Sequence, residues 1–256
     1  MPTIDELYRF LNEKFPESLR CDWDNDGLMV AAEPDREVYR VLCSLDVTDE
    51  CVDYAIGNKF DVIVSHHPMI FKPLKGVNYL DPVARKTIKL LKNNISVMSF
   101  HTRLDAASGG VNDLFAKLLG LTDVTPFGVD GELVGRVGNL PEPIECTAFA
   151  SQVKKLLGAE RVLYALGGGD VKRVALCGGD GKDFVKAAKL AGADSYVTGQ
   201  LSYNIMEESD YFGLNMFEAG HFFTEDFVSA YLAHLILGHF TQVQTDYFNS
   251  NRIKAV

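Results

Sequence analysis

The sequence lacks both a long apolar run and a basic stripe. No stretch reaches the roughly 18 consecutive apolar residues that a membrane-spanning helix needs. Among 256 residues, 35 are acidic and 25 are basic, which gives a formal net charge of -10. Because nucleic acids are bound through clustered lysines and arginines, this balance argues against a nucleic-acid partner. We expect a protein that neither crosses a membrane nor binds nucleic acid.

Paired cysteines and a secretory leader are also missing. The five cysteines form no C-x-x-C pair and mostly lie in apolar runs, which favours reduced thiols over a disulfide framework. The first six residues, from Met1 to Glu6, have neither the basic flank nor the apolar stretch of a signal peptide. We therefore expect a cytoplasmic protein.

The sequence does contain an alternation of strand and helix patterns. After a first helix that ends before Pro16, the predicted strands are 38–45, 61–65, 95–100, 171–177, 194–198 and 214–217. The predicted helices between and after them are 49–57, 82–93, 111–118, 147–157, 182–190 and 225–237. This alternation indicates βαβ units and mostly parallel sheets. A last alternating segment, 240–247, could return as a strand of the first sheet.

Turn residues cluster at 125–131 and again at 141–143, which suggests a change of domain. We expect a first α/β lobe made of residues 1–125 with 239–256, and a second made of 126–238.

The two halves share residues at a constant offset of 133 positions. Arg40 corresponds to Arg173 and Asp61 to Asp194 at this offset, together with several apolar positions. Any two βαβ units share apolar spacing, but identity at charged positions goes beyond it. The sequence therefore predicts two similar α/β lobes with mostly parallel sheets, which face each other across a cleft.

Histidines follow strand patterns at three points of this fold. His66 and His67 close an apolar strand, and Pro68 forbids a helix from starting at once. Two more elements join a histidine to a carboxylate four residues later: His101 with Asp105, and His221 with Glu225. Catalytic Zn, Mn and Fe ions take such ligands, and open α/β sheets bind ligands at strand ends.

Each element also has an ordinary interpretation as a solvated strand end or a core histidine. Four histidines and two carboxylates exceed what one catalytic ion needs, whereas two ions bridged by a carboxylate use them all. His234 and His239 lie on or just after the last apolar helix without an acid in register, and we interpret them as structural.

Two other motifs have competing interpretations. The carboxylates and glycine of 22–27, with Glu33, match the spacing of a calcium-binding loop. A strand follows instead of the required helix, which favours a turn-rich loop and short strand containing Trp23. The glycine-rich segment 177–182 is either a phosphate-binding turn or an ordinary strand-to-helix turn.

Six segments resemble, in order, the motifs of the Nif-three-like family, whose members are often called GTP cyclohydrolase 1 type 2 homologues. The segments are 23–28, 65–74, 99–105, 135–138, 193–199 and 219–225. The resemblance covers nearly the whole chain. It implies two similar lobes, a dinuclear metal centre between them, and a toroidal homohexamer built as a trimer of dimers.

The resemblance also implies roles for the histidines and carboxylates. His67 and Asp105 would hold one divalent ion and His66 and His221 the other, with Glu225 bridging. His101 would line the site and transfer a proton, as an imidazole with a pKa of about 6.5 can. Two positions depart from the family pattern: Gln200 and Asn204 stand where relatives tend to show an acid and a histidine.

We expect a hydrolase that uses two divalent ions, drawn from Zn, Mn, Fe, Co and Ni, to activate water. The resemblance suggests a nucleotide such as GTP, opened at its ring, or a phosphoester. Lys72, Lys75 and Arg103 offer phosphate contacts, or else are surface charges. The alternative is a metal-binding or regulatory homohexamer without turnover.

Overall fold

Two β-sheets organise the chain in the structure, a computed structural model that describes residues 1–31 and 33–254. The strands in these residues are β1 Gly27–Val30, β2 Arg40–Ser44, β3 Val62–Ser65, β4 Ser96–Ser99, β5 Thr122–Val129, β6 Glu132–Ile144, β7 Leu163–Ala165, β8 Val171–Cys177, β9 Ser195–Thr198, β10 Asn215–Glu218 and β11 Gln244–Phe248. The α-helices are α1 Ile4–Lys14, α2 Asp49–Gly57, α3 Pro82–Lys92, α4 Thr102–Ala106, α5 Val111–Leu118, α6 Cys146–Leu157, α7 Val185–Leu190, α8 Tyr203–Glu207, α9 Ser209–Phe212 and α10 Phe227–His239. Within the described ranges, no helix combines the length and the apolarity that spanning a bilayer requires.

The first of two compact units comprises Met1–Leu104 and Asp226–Ile253. Its sheet has the strand order β1-β4-β3-β2-β11, in which β1 is antiparallel to its neighbour and the other neighbours are parallel. The prediction that the last strand returns to the first sheet is confirmed, since β11 pairs with β2.

The first unit has the local signals that its helices need. Thr3 and Glu6 form a capping box at α1, the Thr48 side chain caps α2, and Asp81 caps α3 ahead of a first-turn proline. All four residues of β3 are buried, and helices α2 and α3 contribute buried side chains to the same apolar cluster as this strand. The burial fixes the carboxyl end of β3, where the histidine pair follows.

The second unit contains Asp105–Glu225 and a sheet with the order β5-β6-β8-β9-β10-β7. Strands β8, β9 and β10 are parallel to one another, whereas β5, β6 and β7 pair antiparallel. The mixed α/β class with two sheets is therefore confirmed.

A long hairpin occupies the region where turn residues suggested a domain change. Strands β5 and β6 pair across Asp130 and Gly131, which have φ angles of 50° and 90°. Such positive values at both central residues characterise the tight hairpin turn that Asp-Gly sequences favour. Pro126 is tolerated because β5 lies at the sheet edge.

The compact units change at 104/105 and 225/226, whereas the predicted lobes change at 125/126 and 238/239. The two sets of boundaries differ because α5 and α10 each pack on a sheet other than the one expected from the predicted lobes. Helix α5 contacts β6 and β8 of the second sheet, and α10 contacts β2 and β11 of the first.

The 133-residue repeat includes the same polar contact in both units: an aspartate accepts hydrogen bonds from two backbone N–H groups at the start of the neighbouring strand. We call this contact the clip. The Asp61 carboxylate accepts hydrogen bonds from the backbone N–H groups of Tyr39 and Arg40 at 2.8 and 2.9 Å. The Asp194 carboxylate accepts from the corresponding N–H groups of Lys172 and Arg173, the latter at 2.7 Å. In each unit the acid that precedes one strand thereby fixes the start of its neighbour.

The paired arginines repeat as well. The Arg40 guanidinium donates to the carbonyl of Asn58, and that of Arg173 donates to the carbonyl of Ala191, again 133 positions apart. The charged identities of the repeat therefore serve the scaffold rather than the site.

Replacing either clip carboxylate should destabilise its own unit. Asp61→Ala and Asp194→Ala each leave two buried or half-buried N–H groups without their acceptor, so we expect each to cost about 1–3 kcal/mol. Urea denaturation measures the loss, with the exposed Asp35→Ala as the control. A loss within about 0.5 kcal/mol of the control for both variants would contradict the repeated clip.

Candidate metal centre

The histidine pair is held where β3 ends. The backbone N–H of His66 donates to Ser44 O at 3.2 Å, and that of His67 donates to Leu45 O at 2.9 Å. The Ser65 hydroxyl donates to His67 O at 2.9 Å and closes the turn. The main-chain pairing with β2 therefore continues past the strand, with His66 fully buried and His67 half-buried.

Three imidazoles meet in the first unit. The ring centroids of His66 and His67 lie 5.1 Å apart, and that of His101 lies 5.3 and 5.6 Å from them. One ring nitrogen from each falls within 4.8 Å of the other two, a spacing that allows the group to hold a metal ion. The histidines predicted from the first half of the chain therefore form one cluster.

Each of these imidazoles uses Nδ1 to bind a protein oxygen. His66 Nδ1 donates to Phe100 O at 2.9 Å, His67 Nδ1 to Asp46 at 2.8 Å, and His101 Nδ1 to Asp24 at 2.9 Å. Carbonyl and carboxylate oxygens only accept, so Nδ1 carries a proton in each ring. Metal-ligating histidines are oriented in this way.

The buried Asp24 carboxylate fixes the orientation of the His101 ring. Its other oxygen accepts from the Thr102 N–H at 3.1 Å and from the Thr102 hydroxyl at 2.7 Å. Burial raises the pKa of Asp24, but hydrogen bonding and charge from His101, with the Thr102 hydrogen bonds, outweigh it and lower the pKa to about 2. A carboxylate that is ionised at neutral pH therefore faces the imidazole.

The pattern at 22–27 that resembles a calcium loop has a different use. Asp26 accepts from the His101 backbone N–H and from Arg103 Nε, both at 2.9 Å. Arg103 is completely buried and also donates to Asn12 and to Phe15 O. It is therefore not available to contact a substrate phosphate, and this part of the prediction is wrong.

The second unit places its predicted ligands around Glu225. His221 Nε2 lies 3.1 Å from a Glu225 oxygen, and an Asp105 oxygen lies within 4.8 Å of a Glu225 oxygen. Glu225 and Asp105 are buried, whereas His221 is half-exposed. Glu225 therefore lies close to both His221 and Asp105.

Gln200 anchors His221 as Asp24 anchors His101. His221 Nδ1 donates to Gln200 Oε1 at 2.7 Å, and its Nε2 faces the Glu225 carboxylate. Gln200 is one of the two positions expected to depart from the family pattern, and its neutral amide raises the basicity of an imidazole less than a carboxylate does. Asn204, the second departure, is exposed.

The glycine-rich segment 177–182 makes room for Glu225. Gly179 has a φ of 66°, and a Cβ there would overlap Glu225 Oε1 and come within 3.1 Å of His221 Nε2. A Cβ on Gly178 would lie 3.1 Å from Glu225 Cγ. The Gly179 N–H donates to the Thr224 hydroxyl at 3.0 Å. The segment therefore leaves space for the Glu225 carboxylate and fixes the residue before it.

Asn112 is a buried positioning residue that sequence patterns did not indicate. Its side-chain amide donates to Asp105 O at 3.4 Å and to Val134 O at 3.1 Å, and its oxygen accepts from the Gly178 N–H at 2.8 Å.

Burial, followed by the nearby charges of Asp105 and Glu225, raises the pKa of the Cys177 thiol well above its ordinary value. This thiol is therefore neutral.

The other two histidines take structural positions. His234 is exposed and its Nδ1 donates to the carbonyl of Ala230 one helical turn back. The His239 ring stacks on Phe10 with 4.1 Å between centroids.

The described residues therefore bring imidazole nitrogens and carboxylate oxygens close together. This mixture of nitrogen and oxygen donors fits Zn, Mn, Fe, Co or Ni. His66, His67 and His101 come together in the first unit, and Asp105, His221 and Glu225 in the second.

Comparison with known proteins identifies the chain's relatives. A protein of Clostridium perfringens named GTP cyclohydrolase 1 type 2 homolog is 32% identical over 232 residues, covering 87% of this chain and 86% of that protein. A protein of Schizosaccharomyces pombe named Protein NIF3 homolog is 31% identical over 235 residues, covering 86% and 84%.

A solved structure shares the fold. The Bacillus cereus protein related to NIF3 superposes with a TM-score of 0.87 over 100% of both chains at 24% identity. The family model described as Duf34/NIF3 (NGG1p interacting factor 3) matches residues 2–254. With a match of this extent, the chain belongs to the Duf34/NIF3 family.

Proposed function

We propose that this protein is a hydrolase that depends on a dinuclear metal centre. Its ligands would be His66, His67, Asp105, His221 and Glu225, with Glu225 bridging. The observation that supports the proposal is the shared orientation of the histidines, since each binds a protein oxygen through Nδ1, as metal-ligating histidines do. When bound, divalent ions lower the pKa of water towards neutrality and stabilise charge on the attacked group.

The residues of the chain supply the remaining functions. Glu225 and Asp105 contribute negative charge at buried positions, which favours divalent cations over anions there. His101 would transfer the proton that leaves the attacking water. The ionised Asp24 supports this role, because it holds the imidazole in one tautomer and stabilises the imidazolium.

The substrate we propose is a nucleotide, opened at its ring in the manner of a GTP cyclohydrolase, or a phosphoester. The names of the relatives support the first choice. The alternative is a metal-binding or regulatory protein without turnover. In either case we propose a homohexamer assembled as a trimer of dimers.

The metal content of the purified protein tests the ligand set. We expect about two divalent ions per chain by elemental analysis after metal reconstitution. Glu225→Ala should lose most of this content, whereas the exposed His234→Ala should retain it. Absence of metal from both native and reconstituted wild type would remove the basis of the proposal.

Turnover distinguishes the hydrolase from the alternative. We expect the reconstituted protein to hydrolyse at least one member of a panel of nucleotides and phosphodiesters. His101→Gln should lower that rate by about 100-fold to 10,000-fold while retaining its metal, because proton transfer contributes such factors. If no compound reacts faster with wild type than with Glu225→Ala, the non-catalytic alternative stands.

A pair of glycine variants tests whether the segment 177–182 seats Glu225. Gly179 and Gly158 have φ angles of 66° and 64°, but a Cβ on Gly158 meets nothing within 4 Å. Gly158→Ala should cost only the backbone strain of about 1–2 kcal/mol and keep the metal. Gly179→Ala should cost about 1–3 kcal/mol more and also lower the metal content, because Glu225 must move.

Equal losses of stability and unchanged metal in the two glycine variants would contradict this role. Urea denaturation and elemental analysis provide the two measurements.

A further inference from the structure

Two exposed aromatic side chains stand beside the histidine cluster of the first unit. The ring centroids of Trp23 and Phe71 lie 6.1 and 6.4 Å from that of His101, and 6.3 Å from each other. Trp23 is 59% exposed and Phe71 is 44% exposed. Large apolar rings are ordinarily buried, so two exposed rings at a candidate active site indicate a ligand surface.

The segment that carries Trp23 is held in place on both sides. The Cys21 N–H donates to the Thr102 hydroxyl at 3.0 Å, and the Asp24 N–H donates to Cys21 O at 3.0 Å. Asn25 donates through its side-chain amide to Ile70 O, which ties this segment to the one that carries Phe71. The two rings therefore belong to a fixed surface.

The ring geometry favours a flat partner. Trp23 and Phe71 meet at an interplanar angle of 67°, and both stand nearly perpendicular to His101, at 80° and 88°. The three rings thus contact one another edge to face and do not stack among themselves. A planar heteroaromatic ring can stack on the exposed indole, and aromatic pairs favour such offset contacts.

The charge nearby fits the same class of ligand. Lys72 directly follows Phe71, Lys75 comes three residues later, and both are exposed. These exposed cations follow Phe71 closely in sequence and would attract an anionic substituent. A nucleotide combines a flat base with an anionic phosphate, whereas a simple sugar phosphate lacks the group that the indole recognises.

We propose that Trp23 and Phe71 form a stacking platform for the nucleobase of the substrate and present it to His101. This inference rests on the proposed function, because it assumes that the chemistry occurs at the histidine cluster. It adds a substrate requirement, since a phosphoester without an aromatic ring should be a poor ligand. Trp23 and Phe71 act as positioning residues and leave metal binding to others.

The chain offers a direct reporter for the test, since Trp23 is its single tryptophan. Titration of the metal-reconstituted protein with GMP should quench the tryptophan emission saturably, after correction for absorption by the base. Ribose 5-phosphate should leave the emission unchanged. Both ligands should also be titrated by calorimetry, which needs no fluorophore.

Two variants locate the contact. Stacking of one base on one aromatic side chain changes affinity roughly five-fold to a hundred-fold. We therefore expect Trp23→Leu and Phe71→Leu to weaken GMP binding by about five-fold or more while keeping the wild-type metal content. Tyr211→Leu removes a ring that is 83% exposed in the second unit and should leave GMP affinity unchanged.

Three outcomes would overturn the platform. GMP and ribose 5-phosphate could bind equally, Trp23→Leu could bind GMP as wild type does, or the emission could shift with protein concentration alone, which would mean that a second copy covers the indole. Failure of the proposed function has a different signature. Base-dependent quenching without turnover would leave the platform intact and remove only the hydrolase.

Discussion

A hydrogen bond from Nδ1 to a protein oxygen recurs at each histidine of the candidate site and sets the orientation of its ring. An Nδ1–H donates to an oxygen that the fold holds still, and this bond fixes the orientation of each ring. Losing such a partner typically costs ten-fold to a hundred-fold in metal affinity. Asp46, Phe100 and Gln200 follow β2, β4 and β9, whereas Asp24 precedes β1, which is antiparallel to β4. Each histidine and its acceptor therefore come from neighbouring strands of one sheet.

The two units use one scaffold for different chemistry. The clips at Asp61 and Asp194 fix equivalent strand starts, yet the residues that follow the equivalent strands differ. His66 and His67 in the first unit correspond, at the same offset, to Gly199 and Gln200 in the second. A Cβ on Gly199 would approach His221 Cα to 2.7 Å, so the small residue leaves space for the histidine.

Much of the scaffold was predictable because it follows from local pattern. Apolar runs, caps and proline positions located β2, β3, β8 and the helices α1, α2 and α3 closely, since burial and capping act over a few residues. The β5–β6 hairpin was not predicted, although its Asp130-Gly131 turn was visible. Turn residues alone do not distinguish a hairpin from a boundary between domains.

The site was predictable by residue type and only partly by its surroundings. The histidines and acids were candidates because few other side chains bind metals. Asp24, Asp46 and Asn112 act through contacts between segments far apart in sequence, and no periodicity reports such contacts. The carboxylates at 22–26 match the spacing of a calcium loop, but Asp24 and Asp26 instead accept hydrogen bonds from His101, Thr102 and Arg103.

The position of β11 has a consequence for how the chain is made. The first unit joins residues from both ends of the chain, and β2 receives its outer partner only when residues 244–248 have been synthesised. Until then, β2 presents an unpaired edge of the kind that adds strands from other molecules. The second unit, being continuous from 105 to 225, can complete its sheet earlier on the ribosome. Interrupted translation would therefore yield a chain with one finished sheet and one that is prone to aggregate.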